Sequence, residues 1–102
     1  MKIERWNTET DGELTEQAMR EKLERAGYSV SRYIYSPGIY FPAHTHSTDK
    51  IDAVFSGRFR IVLEGEEVIL EAGDSLAVPR GAAHSAEVVG SNAVISFDAV
   101  KR

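Results

Sequence analysis

The stretch GRFRIVLEGEEVILEAGDSLAVP, residues 57–79, decides the fold class. Phe59, Ile61 and Leu63 alternate with Arg58, Arg60 and Val62, the period-two pattern of a strand with one buried face. Glu64-Gly65-Glu66 turns the chain into a second extended run, EVILEAG (67–73). Gly73-Asp74 is a further turn signal, and SLAV (75–78) is a short strand that stops at Pro79, where no ladder donor is needed. Three short strands joined by tight turns within 23 residues belong to an antiparallel all-β unit.

Working outward, the same punctuation continues. YSVSRYIY (28–35) is rich in β-branched and aromatic residues and is followed by the turn pair Pro37-Gly38. AEVV (86–89) and AVISFDAV (93–100) are separated by Gly90-Ser91-Asn92. About eight strands at roughly ten-residue spacing are expected over 28–100, the pattern of a sandwich or barrel. Upstream of Gly27 the pattern changes to helical. Residues 10–26 are expected to form one amphipathic helix, with Thr10 and Glu13 at capping-box spacing and an apolar stripe of Leu14, Ala18, Leu23 and Ala26. Glu16 with Arg20 and Glu21 with Arg25 are spaced for i,i+4 ion pairs, and Gly27 is a natural stop. Trp6 lies in a segment without a clear assignment, a candidate anchor for the N-terminal arm.

Composition narrows the function classes. The 102 residues suffice for one domain, 1–102, with a core of its own. The absence of cysteine excludes thiolate metal sites, thiol catalysis and disulfides. A net charge of −4 without a basic cluster argues against nucleic acid as partner. No apolar run approaches membrane-spanning length, and MKIERWNTETDGEL lacks the apolar centre of a secretory signal. A cytoplasmic location is expected.

The chemistry-bearing residues are the three histidines. His44-Thr45-His46 on an extended segment places two imidazoles on one face, and His84, on a neighbouring strand, completes a candidate metal triad. Their context has a family likeness. Gly38, five residues, His44-Thr45-His46, three residues, Lys50, six residues and Gly57 resemble the first motif of the cupin superfamily. Gly73, five residues, Pro79-Arg80-Gly81, two residues and His84 resemble the second. The resemblance to a small single-domain, RmlC-like cupin implies a jelly-roll (double-stranded β-helix) antiparallel barrel with the helix packed outside. It implies one divalent ion (iron, zinc, nickel or manganese) held by His44, His46 and His84. It also implies a small-molecule ligand in the barrel mouth, and a homodimer.

Two positions depart from the family pattern. Val88 stands where asparagine is frequent, and Lys50 stands where a ligating glutamate is expected. An ammonium repels a nearby cation unless burial removes its charge. Three placements of Lys50 are open. It can point away from a three-histidine site. It can pair with Asp52, which shares its strand parity, with Asp49 or Asp52 standing in as an oxygen ligand. Or Lys50 and the histidines can bind an anion without metal, Lys50 and Asp52 contacting the ligand. Tyr33, Tyr35, Tyr40 and Phe41 read as barrel core and rim, and Arg80 as a solvated turn residue. No catalytic residue is identifiable, because Ser75 and Ser85 lack partners at triad-like spacing and no general acid or base accompanies the histidines. The functions in play are a metalloenzyme, dioxygenase- or isomerase-like, on a small anionic metabolite; a non-catalytic metal- or ligand-binding module; and a mainly structural dimeric barrel.

Overall fold

A computed structural model describes residues 1–102. Nine strands form two antiparallel sheets. The strands are β1 (Lys2–Arg5), β2 (Tyr28–Tyr35), β3 (Tyr40–His44), β4 (Lys50–Ser56), β5 (Arg58–Leu63), β6 (Glu66–Leu70), β7 (Asp74–Val78), β8 (His84–Val89) and β9 (Val94–Lys101). One sheet runs β1-β7-β4-β9-β2 and the other β3-β8-β5-β6, the two-sheet arrangement of a jelly roll. The all-β reading and the external helical segment therefore hold. No helix is long and apolar enough to cross a membrane.

The central strands β4 and β9 of the five-stranded sheet are covered on both faces. Val54, Leu76, Val78 and Val94 face the barrel interior and pack with Phe59, Ile61, Leu63 and Leu70 of the opposite sheet. Ala53, Phe97 and Ala99 face outward and pack under Met19 and Leu23 of the helix. Side chains of β4 and β9 therefore divide by parity. Even-numbered residues point inward, and this carries Lys50, Asp52, Ser96 and Asp98 into the barrel.

The N-terminal region differs from expectation. Instead of one helix over 10–26 there are two, α1 (Thr8–Asp11) and α2 (Glu16–Arg25). Thr10 does not cap. Asn7 caps α1 by accepting from the Glu9 amide, and Thr15 caps α2 by accepting from the Ala18 amide. Gly12, at φ +78°, breaks the chain between them. The buried face of α2 is Met19 and Leu23, while Ala26 is exposed. Glu16 pairs with Arg32 on β2 rather than with Arg20, whose guanidinium donates to the Val30 carbonyl and lies over Phe97. These contacts tie α2 to the sheet, so tertiary partners replace the local i,i+4 pair.

β1 is an additional strand. It pairs with β7 and leads into Trp6, whose amide donates to the Gly73 carbonyl and whose indole N–H donates to the Gly12 carbonyl at 2.9 Å. Trp6 thus anchors the N-terminal arm. Gly73 has φ +90°, and a Cβ there would sit 2.8 Å from Trp6 Cβ, so this turn requires glycine on two counts.

Candidate metal centre

The three imidazoles converge at one end of the barrel. His44 closes β3 and faces His84, the first residue of β8, as its cross-strand partner. A register shift between Phe41 and His44 marks an irregularity in β3. His46 is not on a strand. It lies two residues past the end of β3, in the segment between β3 and β4, and its ring meets that of His44. Ring centroids are 4.7 Å apart for His44–His46, 4.3 Å for His44–His84 and 5.0 Å for His46–His84, and the candidate donor atoms all lie within 4.8 Å of one another.

Backbone carbonyls set the ring orientations. His44 Nδ1–H donates to the Pro42 carbonyl at 2.8 Å, and His84 Nδ1–H donates to the Ala82 carbonyl at 2.9 Å. A carbonyl only accepts, so these bonds place the proton on Nδ1 and leave the Nε2 lone pair free. Nε2 of His84 and Nε2 of His46 are buried without any hydrogen-bond partner. Buried polar atoms ordinarily have partners, and two orphaned imidazole nitrogens facing a common point are the signature of a missing ligand. Burial, then the positive charge of Lys50, pushes the His46 pKa down, which favours the neutral, ligating form. The donor set, its orientation and its protonation are consistent with a divalent metal ion.

The histidines open into a cavity of about 340 Å³. Lys50, Asp52, Ser96 and Asp98 give it a polar lining, and Tyr33, Tyr35, Phe41 and Phe59 an aromatic one. Tyr35 and Phe41 meet edge to face at 4.9 Å, and Tyr35 stacks on Phe59 at 5.6 Å. Tyr33, Tyr35 and Phe41 are therefore walls of the cavity as well as core and rim, whereas Tyr40 is exposed and lies outside it.

Lys50 is buried, and its Nζ lies 3.1 Å from Asp52 Oδ1 and 2.6 Å from Asp98 Oδ1. Asp52 and Asp98 are direct cross-strand partners on β4 and β9. Two carboxylates facing each other inside a barrel repel, and the ammonium between them relieves this. Burial opposes the charge on Lys50, but Asp52 and Asp98 outweigh it and hold its pKa above the ordinary lysine value. Burial pushes the Asp52 carboxyl up despite the neighbouring ammonium. Burial, with Asp98 and Asp52 nearby, pushes the Tyr35 hydroxyl up to about 12, so it remains a hydrogen-bond donor at neutral pH. Asp49 is turned away from the imidazoles, its Oδ1 accepting from the Arg80 amide at 2.9 Å.

Asp98 and Ser96 are site residues that sequence reasoning missed. The available signal was parity. Once β9 is placed beside β4, every second residue of SFDAV faces inward, and Asp98 is the charged one.

Fold and site together define a small barrel with a histidine-lined mouth. A cupin domain family model matches residues 31–99, and the chain belongs to the cupin family. Solved structures agree. KdgF from Halomonas sp. is similar at 25% identity and a TM-score of 0.65, over 74% of this chain and 71% of that one. An RmlC-like cupin from Shewanella frigidimarina has 24% identity and a TM-score of 0.65, over 72% and 65%. The DMSP lyase DddQ from Ruegeria pomeroyi has 19% identity and a TM-score of 0.67, over 74% and 39%. The chain spans less than two thirds of the length of the latter two. No curated protein sequence matches the chain.

Proposed function

We propose that this cupin holds one divalent ion through Nε2 of His44, His46 and His84 and acts on a small metabolite in the adjoining cavity. The observation that carries this is the pair of buried, partnerless Nε2 atoms of His46 and His84, together with the Nδ1–carbonyl bonds that orient His44 and His84. Iron, zinc, nickel and manganese all accept imidazole ligands, and the bound ion would supply Lewis-acid or oxygen-activating chemistry. Around it, the protonated Tyr35 hydroxyl would be a hydrogen-bond donor to a ligand, and the aromatic walls would exclude water from one side of it. Three neutral ligands leave the charge of the ion uncompensated, which favours an anionic oxygen donor on the metabolite. Lys50 does not serve as the anion anchor in this reading, because Asp52 and Asp98 already occupy its ammonium. That KdgF and a DMSP lyase share the barrel is compatible with an enzyme.

Metal analysis of protein prepared without a histidine tag tests the proposal. About one equivalent of a divalent metal per chain is expected, with loss of occupancy when all three histidines are replaced by alanine. Full occupancy in the triple variant would place the metal elsewhere. We also propose a homodimer. The edge strands β2 and β3 carry exposed Tyr33, Ile34 and Tyr40, an apolar border that a second copy would cover. Sedimentation showing only monomer at micromolar concentration would refute that part.

A further inference from the structure

His46 is the one imidazole of the three that no strand carries. Its position therefore depends on what holds the loop 45–49. Three hydrogen bonds do so, and two of them come from the turn at 79–82. The Gly81 amide donates to the His46 carbonyl at 2.8 Å, and the Arg80 amide donates to Asp49 Oδ1 at 2.9 Å. The turn is itself closed by the Ala82 amide on the Pro79 carbonyl at 3.1 Å, and two residues later it enters His84. At the other end of the loop, the Lys101 amide donates to the Asp49 carbonyl at 2.9 Å. Asp49 thus joins the loop that bears His46, the turn that leads to His84, and the end of β9.

We propose that Asp49 is a positioning residue whose carboxylate clamps the loop 45–49 to the turn 79–82 and so sets His46 relative to His44 and His84. The carboxylate faces the Arg80 amide and is not among the groups that converge on the centre, so it acts through the loop rather than as a ligand. A hydrogen bond to a charged acceptor is among the stronger ones available to an exposed loop. Groups that orient ligating imidazoles typically change metal affinity about 10- to 100-fold when removed. The role in metal binding rests on the three-histidine reading; the clamp itself does not.

The test compares Asp49→Ala with Asp49→Asn, whose amide oxygen can still accept from Arg80. Amide hydrogen exchange on metal-free protein reads the clamp directly. In Asp49→Ala, exchange at Gly81 should accelerate about tenfold, although its own acceptor, the His46 carbonyl, is untouched; Asp49→Asn should stay near wild type. Cobalt(II) titration followed by visible absorption reads the site. Affinity should fall about tenfold in Asp49→Ala and be restored by Asp49→Asn. Unchanged Gly81 exchange in Asp49→Ala would overturn the clamp. Equal loss of cobalt affinity in both variants would also overturn it, because charge rather than the hydrogen bond would then be at work. If wild type binds no cobalt, the metal reading fails while the exchange result still decides the clamp.

Discussion

Replacing Lys50 with methionine removes one buried charge at nearly constant length and leaves Asp52 and Asp98 facing each other across β4 and β9. Breaking a buried ion pair by deleting one partner costs about 3–5 kcal/mol. The Lys50 side chain is 7% exposed but that of Asp98 is 27%, so water relieves part of the penalty and about 3 kcal/mol is expected at pH 7.5. For a chain of this size that is a fall in Tm of roughly 12–24 °C. The loss should depend on pH in a definite direction. Burial already raises the Asp52 pKa, and removing the ammonium takes away the main influence holding it down. A carboxyl with a raised folded-state pKa stabilises the fold below its unfolded value near 3.8, and that contribution disappears as pH rises through the folded value. The gap between variant and wild type should therefore be narrow near pH 4 and wide at pH 7.5. Urea denaturation at the two pH values, followed by far-UV circular dichroism, measures this. A loss below about 0.5 kcal/mol at pH 7.5, within the range of ordinary surface substitutions, or the same loss at both pH values, would refute the buried triad.

Three further outcomes follow from the same geometry. Metal affinity should fall as pH drops below the ordinary histidine value of about 6.5, and in metal-free protein the His46 ring, followed by nuclear magnetic resonance, should protonate below that value. Lys50→Glu places a carboxylate at the family's usual ligand position and should tighten zinc binding at least about tenfold, while the metal-free variant should be less stable than Lys50→Met because three acids then share the cavity. Gly57→Ala should cost several times more stability in urea titrations than Gly65→Ala. Both have positive φ, but the added Cβ at Gly57 would lie 2.5 Å from the Ala93 carbonyl oxygen, whereas Gly65 faces open space.

The barrel was legible because its signals are local. Alternation in Phe59, Ile61 and Leu63, the turns at Gly65 and Gly73, and the stop at Pro79 all depend on neighbours within a few residues. The histidine spacing was legible for the same reason, although His46 lies just past the end of β3 rather than on it. The capping arrangement was misread because Asn7, Thr10 and Thr15 are all competent caps, and the choice between them depends on where β1 and Trp6 anchor the chain. The ion pair of Glu16 went to Arg32 because β2 passes beside α2, a fact of tertiary structure. Nothing local distinguishes Asp98 from any other strand-borne acid. Its importance depends on the register between β4 and β9, which pairs it with Asp52, a residue more than forty positions away.

That register also makes sense of the position where this chain departs most from its family. A lysine in place of a metal-ligating glutamate looks, in sequence, like a loss of the site. With Asp98 opposite Asp52, it is instead the cation that a buried and a half-buried acid require. The ammonium is held by Asp52 and by Asp98 of β9, and one ammonium against two carboxylates gives that wall no spare positive charge. An ion bound by three neutral histidines would then be the one uncompensated cation in the cavity. An anionic ligand drawn into the mouth would be drawn by that ion, so its affinity should collapse when the metal is removed and survive the loss of Lys50. If Lys50 were the anchor, the order would be reversed. Titrating oxalate, as a small chelating anion, into metal-loaded wild type, metal-free wild type and metal-loaded Lys50→Met protein separates the two.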